Sequence, residues 1–152
     1  MEFKNFEKMI EDTNHWQFSI PPMCPNQAEY DIFKRLINKR TPVCLLGQTK
    51  ILIPLSNYAV DLNPFSNEIF TIQKDWREMT ETAKVIIGDG ILNLLGLDFV
   101  EKVMKLCDTF ICRVFLDKFP WMKYATIFPK EFPNSDIIIK TQENIAIVAW
   151  NN

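Results

Sequence analysis

Three aspartates stand where short apolar runs end. Tyr58-Ala59-Val60 stops on Asp61, the alternating stretch Glu68 to Gln73 reaches Asp75-Trp76, and Ala83 to Ile87 is closed by Gly88-Asp89-Gly90. A fourth run, Val43-Cys44-Leu45-Leu46, ends instead on Gly47, with Gln48-Thr49-Lys50 next. Runs this short and this apolar read as buried strands of a parallel sheet, and in such sheets ligands settle outside the carboxyl ends of the strands. Asp61 could then accept from two ribose hydroxyls. Asp75 could accept from an exocyclic adenine amine, with Trp76 offering a flat apolar face. Asp89 lies between glycines that permit close backbone approach, and could meet a cationic amine.

Each acid also has a plain structural reading. Asp61 suits an Asx-turn into Asn63-Pro64, Asp75 a loop, Trp76 the core, and Asp89 a turn between glycines. Arg113, in the middle of an apolar run, either snorkels at a sheet edge or pairs with one of these acids. The order of the acids along the chain, more than any one of them, points to a shared rim.

Other chemistries are poorly supplied. His15 is the only histidine among the 152 residues, which disfavours a histidine metal site or a Ser-His-Asp triad. Neither a nucleophile elbow nor a phosphate loop is present, and only one glycine stands where a dinucleotide fingerprint wants three. Cys24, Cys44, Cys107 and Cys112 have no CxxC spacing; three of them lie in apolar runs and read as small buried hydrophobes, in a reducing cytoplasm. No apolar run approaches the roughly 18 residues of a membrane span. A formal net charge of −2 gives no nucleic-acid footprint. Lys34-Arg35 and Lys39-Arg40 are the only basic pairs, and they read as the solvated face of a helix.

The elements that must position the acids follow from periodicity. Phe3, Phe6, Met9 and Ile10 suggest a helix over residues 1–12, and the prolines from Pro21 to Pro25 an extended lead-in from His15. Asn26 opens a second helix with Glu29 as capping-box partner and Ala28, Ile32, Phe33, Leu36 and Ile37 as its stripe. The crossover after Gly47 has room for two or three helical turns at most, shortened further by Pro54. A later helix is expected to start at Asp98 with Glu101 as reciprocal cap. Thr109 to Leu116 is a long strand, and Asp136–Lys140 with Ile145–Trp150 form a closing hairpin. The expected fold is α/β, Rossmann-like: a mostly parallel sheet with helices on both faces and a C-terminal antiparallel hairpin. One domain spans residues 1–152, with a lead-in over 1–40, a core over 43–116 and the hairpin over 136–150.

This ordered set resembles the class I S-adenosylmethionine-dependent methyltransferases, and within them a short, trimmed bacterial group. The resemblance rests on Trp16 and Pro21-Pro22-Met23-Cys24-Pro25, then Leu45-Leu46-Gly47-Gln48-Thr49, Val60-Asp61, and Asp75-Trp76-Arg77-Glu78-Met79. It continues through Ile87-Gly88-Asp89-Gly90-Ile91-Leu92-Asn93-Leu94-Leu95 to Phe110-Ile111-Cys112-Arg113-Val114-Phe115. It implies that S-adenosylmethionine is the cofactor and that Gly47, Gln48 and Thr49 approach its methionine end. Asp61 would bind the ribose, Asp75 and Trp76 the adenine, and Asp89 and Gly90 the rim beside the reacting methyl. The acceptor is unidentified, with a small molecule expected. The alternative is a catalytically inactive nucleoside-binding or self-associating module of the same fold, suggested by the trimmed helices and the missing acceptor region, with a pocket narrowed by side chains such as Lys50 or Phe65.

Overall fold

The computed structural model describes residues 21–119 and 128–152. The helix expected over 1–12, His15 and Trp16 lie outside them. Residues 21–24 form turns, not an extended lead-in. Helix α1 runs Gln27–Ile37 and has the expected capping box: Glu29 N donates to Asn26 Oδ1 at 2.8 Å, and Asn26 N to Glu29 Oε1 at 3.0 Å. Eleven residues are too few for a stable isolated helix, so tertiary burial of Phe33 and Ile37, at about 1.5–3 kcal/mol each, holds it.

Seven strands follow: β1 (Val43–Leu46), β2 (Tyr58–Val60), β3 (Thr71–Ile72), β4 (Val85–Asp89), β5 (Thr109–Phe115), β6 (Ile137–Gln142) and β7 (Ile145–Asn151). They form one sheet in the order β3-β2-β1-β4-β5-β7-β6. β1 to β5 are parallel, with Leu46 beside Val60 and Gly88. β7 is the reversed strand, inserted between β5 and β6, so the closing hairpin supplies an interior antiparallel strand and an edge. Strand order reverses between β1 and β4, the switch point where open sheets leave a crevice.

Strand alternation divides the core between two faces. On one, Phe33 and Ile37 of α1 and Leu52 of a 3-10 helix (Lys50–Leu55) meet Val43, Leu45, Val85, Ile87 and Ile111. On the other, two short helices, α2 (Ile91–Leu95) and α3 (Asp98–Val103), meet Cys44, Leu46, Ile86, Phe110 and Cys112 together with Trp76. The cramped crossover is therefore a 3-10 helix containing Pro54, as the spacing required.

Two expectations fail locally. β3 is only Thr71–Ile72, because β2 offers just three residues to pair with. Asp98 is not a cap: the N-cap of α3 is Leu97, one residue earlier, and no side chain closes it. Gly96, at φ 88°, ends α2 and sets up that turn, which leaves Asp98 inside the first turn of α3, where its charge still suits the helix dipole.

Asn93, within α2, fastens the helix to the end of β5. Its Nδ2 donates to Phe115 O at 2.8 Å, and Phe115 N donates to its Oδ1 at 2.9 Å, all of it buried. Asn93→Ala strips one donor and one acceptor of these partners. A loss of about 2–6 kcal/mol is expected, at 1–3 kcal/mol per buried group, and urea unfolding would measure it. A loss under about 0.5 kcal/mol would mean that these groups find other partners.

Candidate functional site

Because β1 to β4 run parallel, Gly47, Asp61, the β3–Asp75 link and Asp89-Gly90 all lie at strand ends along one edge of the sheet. Gly47 takes φ 77°, a conformation that other residues adopt rarely, and this turns the chain sharply off β1. A Cβ at Gly88 would sit 2.6 Å from Ile91 Cγ1, so only glycine lets α2 lie this close to β4.

The loop after β1 and the end of β2 are joined directly. Gln48 N donates to Asp61 Oδ2 at 2.9 Å, and Asn63 N to Asp61 Oδ1 at 2.9 Å. The Asx-turn and the rim acid are thus the same residue. Asp61 is 3% exposed; burial raises its pKa, and the two backbone donors pull against that shift. Two N–H groups leave lone pairs on both oxygens, enough for two further donors.

Gln48 reaches the site through its backbone only. Its side chain donates to Ser66 O (3.0 Å) and Thr71 Oγ1 (2.6 Å) and accepts from Phe65 N (2.8 Å) and Ser66 N (2.9 Å). It pins the β2–β3 connection to the β1 loop. Thr49 is fully buried beside it, and its Oγ1 has no hydrogen-bond partner among the described residues. An orphaned hydroxyl costs about 1–3 kcal/mol and marks a place that a polar ligand would relieve. The loop thus fits the polar end of a small molecule.

Asp75 caps the 3-10 helix Trp76–Glu78 and chelates Arg77 through Nε at 3.0 and 3.1 Å and through Nη2. Burial works against its ionisation, but the hydrogen bonds and charge of Arg77 outweigh it and hold the carboxyl below its usual range. Trp76 does not present an open ring: it is 2% exposed in the core, and its Nε1 donates to Val60 O at 2.7 Å.

Asp89 belongs to a separate buried cluster. Arg113 Nη1 donates to Asp89 Oδ1 at 3.0 Å, its Nε to Glu29 Oε2 at 3.0 Å, and its Nη2 to Pro22 O at 2.7 Å. Thr141 Oγ1 donates to the same Glu29 oxygen at 2.6 Å. Of the two readings open for Arg113, pairing with an acid is the one realised. Glu29, read from sequence only as a cap, is fully buried and anchors the cluster. Its signal was the odd one of an acid on the apolar side of a helix near Phe33.

Two carboxylates share one guanidinium here. Burial opposes the charge on Arg113, yet both acids outweigh it and hold its pKa above the ordinary value. Burial, aided by Glu29 and opposed by Arg113, pushes Asp89 up from 3.8 to about 6. The folded protein then binds a proton at Asp89 more tightly than the unfolded chain does. This contribution to stability is fully present below about pH 4 and lost as pH rises through about 6. Comparing urea unfolding of the native chain and Asp89→Asn at about pH 4.5 and about pH 7 should show the gap shifting toward the variant at the higher pH. A constant gap would assign Asp89 an ordinary pKa.

The four cysteines are free and buried, and burial pushes the thiols of Cys44, Cys107 and Cys112 up to about 12, far from nucleophilic range. Among the described residues, no group of three His, Cys, Asp or Glu could hold a metal ion, and no helix is long and apolar enough to cross a membrane.

No family model and no curated protein matches the sequence. Solved structures do. The chain superposes on magnesium protoporphyrin IX methyltransferase (ChlM) from Synechocystis PCC 6803 with bound SAM, with a TM-score of 0.57 and 12% identity over 98% of this chain and 96% of that one. It superposes on the N-terminal domain of EvdMO1 with SAH bound at a TM-score of 0.56 and 7% identity, covering 99% and 97%. For the plantazolicin methyltransferase BpumL in complex with SAH the values are 0.51 and 12%, covering 97% and 99%. With the strand order, the reversed seventh strand and the acid ending β2, these likenesses identify the fold of the chain as that of the class I S-adenosylmethionine-dependent methyltransferases.

Proposed function

We propose that the protein is a cytoplasmic, single-domain methyltransferase that binds S-adenosylmethionine and methylates a small-molecule acceptor. The observation that carries this reading is the Asp61 carboxylate at the end of β2, hydrogen-bonded to the backbone of the Gly47-Gln48-Thr49 loop beside the switch point. Asp61 would take the ribose hydroxyls on its remaining lone pairs. Thr49 Oγ1, orphaned among the described residues, would meet the methionine end, to which Gly47 and Gln48 offer backbone. The Asp75-Trp76 turn would border the adenine, Asp75 by its carboxylate edge and Trp76 by bracing the end of β2 from below. Asp89 and Gly90 would bound the methyl-transfer side, where the cluster of Glu29, Arg113 and Asp89 keeps the rim rigid.

The cofactor supplies a methyl already activated on a sulfonium. The chain needs only to hold donor and acceptor in line, and orientation of that kind is worth up to about 7–11 kcal/mol. Isothermal titration of the full chain with S-adenosylhomocysteine tests the reading: saturable one-to-one binding is expected, and none at millimolar ligand would reject it.

A second reading has its own observation. Phe70 and Ile138, at opposite edges of the sheet, are 73% and 55% exposed, as a self-associating, non-catalytic module of this fold would have them. A concentration-independent monomer by light scattering, together with cofactor binding, would exclude it.

A further inference from the structure

The two basic pairs line one hollow of the folded chain. Lys34, Arg35 and Lys39 border a hollow of about 470 Å³ at the amino-terminal edge of the sheet, away from the rim. Its walls are the end of α1, the lead-in to β1 and the turn before β2, and none of its lining residues is acidic. Basic residues in the last turn of a helix usually serve the helix dipole. Here Arg40 fills that role, since its Nε donates to Ile37 O at 3.0 Å and its Nη2 to Leu36 O at 2.9 Å. Lys34, Arg35 and Lys39 are in no ion pair among the described residues. Asp31, one turn before Arg35, is engaged by the Gln27 amide instead. Three uncompensated cations therefore gather around an open hollow in a chain whose net charge is −2.

Neutral donors complete the wall. Asn57 is fixed, because its Oδ1 accepts from Val43 N at 2.7 Å, and this leaves its amide nitrogen as a donor without a partner among the described residues. Thr41 adds a hydroxyl. Cations and amide donors with no acid among them match the acceptor-only surface of a phosphate chain, and the volume is that of an ordinary small-molecule site.

We propose that this hollow binds a small, multiply phosphorylated anion, such as a molecule carrying a diphosphate or triphosphate group, at a site separate from the methyl-transfer rim. The site does not depend on methyl transfer.

Titration of the full chain with inorganic tripolyphosphate at low salt tests it. Saturable binding is expected, weakened at least about tenfold in the variant Lys34→Gln/Arg35→Gln/Lys39→Gln, whose circular dichroism and melting temperature should match the native chain. Asn57→Asp keeps the acceptor for Val43 N but sets a negative charge in the wall, and it should abolish binding. Absence of tripolyphosphate binding, or binding by both variants equal to that of the native chain, would overturn the proposal. So would binding of a single-stranded RNA oligonucleotide in place of tripolyphosphate, which would make the face a nucleic-acid surface.

Discussion

Arg113→Leu is expected to lower the unfolding free energy by about 3–5 kcal/mol, the usual cost of breaking a buried ion pair from one side. Arg113, Glu29 and Asp89 are all fully buried, so removal of the guanidinium takes from two buried carboxylates the cation they share. It also strips Pro22 O of its donor and Phe115 of a guanidinium 5.0 Å above its ring. At about 2–4 °C per kcal/mol for a chain of this size, the melting temperature should fall by roughly 6–20 °C. The companion variant Glu29→Gln/Asp89→Asn/Arg113→Met carries no buried charge at these positions. It should recover most of the loss, because the desolvation of three ions disappears with their attraction. A single variant that loses under about 1 kcal/mol, or a triple variant as unstable as the single, would show that the cluster is not what ties α1, β4 and β5 together.

How far such features can be read from sequence depends on their range. The capping box of α1, the apolar strands and the closing hairpin are local, since each is written within a few residues of its own position. The placement of Asp61 was legible for a related reason, because a short apolar run that stops on an acid needs only a parallel sheet to put that acid at a rim. Glu29 was not, because its partner Arg113 lies 84 residues away and a cap explained it sufficiently. Nor was the side chain of Gln48, whose four hydrogen bonds go to Phe65, Ser66 and Thr71, 17 to 23 residues on. Trp76 shows the limit from the other side: an aromatic beside an acid reads equally as a ligand platform or as core, and burial decided for the core.

Asp61→Ala should weaken S-adenosylhomocysteine binding on the order of 10- to 150-fold, the equivalent of about 1.5–3 kcal/mol for hydrogen bonds to a charged acceptor. The effect has two routes, which can be separated. Directly, the ribose hydroxyls lose the acceptor that the end of β2 provides. Indirectly, Gln48 N and Asn63 N lose theirs, and the Gly47-Gln48-Thr49 loop is no longer tied to β2. Asn63→Pro removes the second of those donors and leaves the carboxylate in place, so it reports the cost of altering the turn. If Asp61→Ala loses affinity while Asn63→Pro keeps most of it, at melting temperatures similar to each other, the carboxylate itself contacts the ligand. Equal losses in both would reduce Asp61 to a loop brace. Unchanged affinity in a folded Asp61→Ala would remove the ribose from this rim altogether.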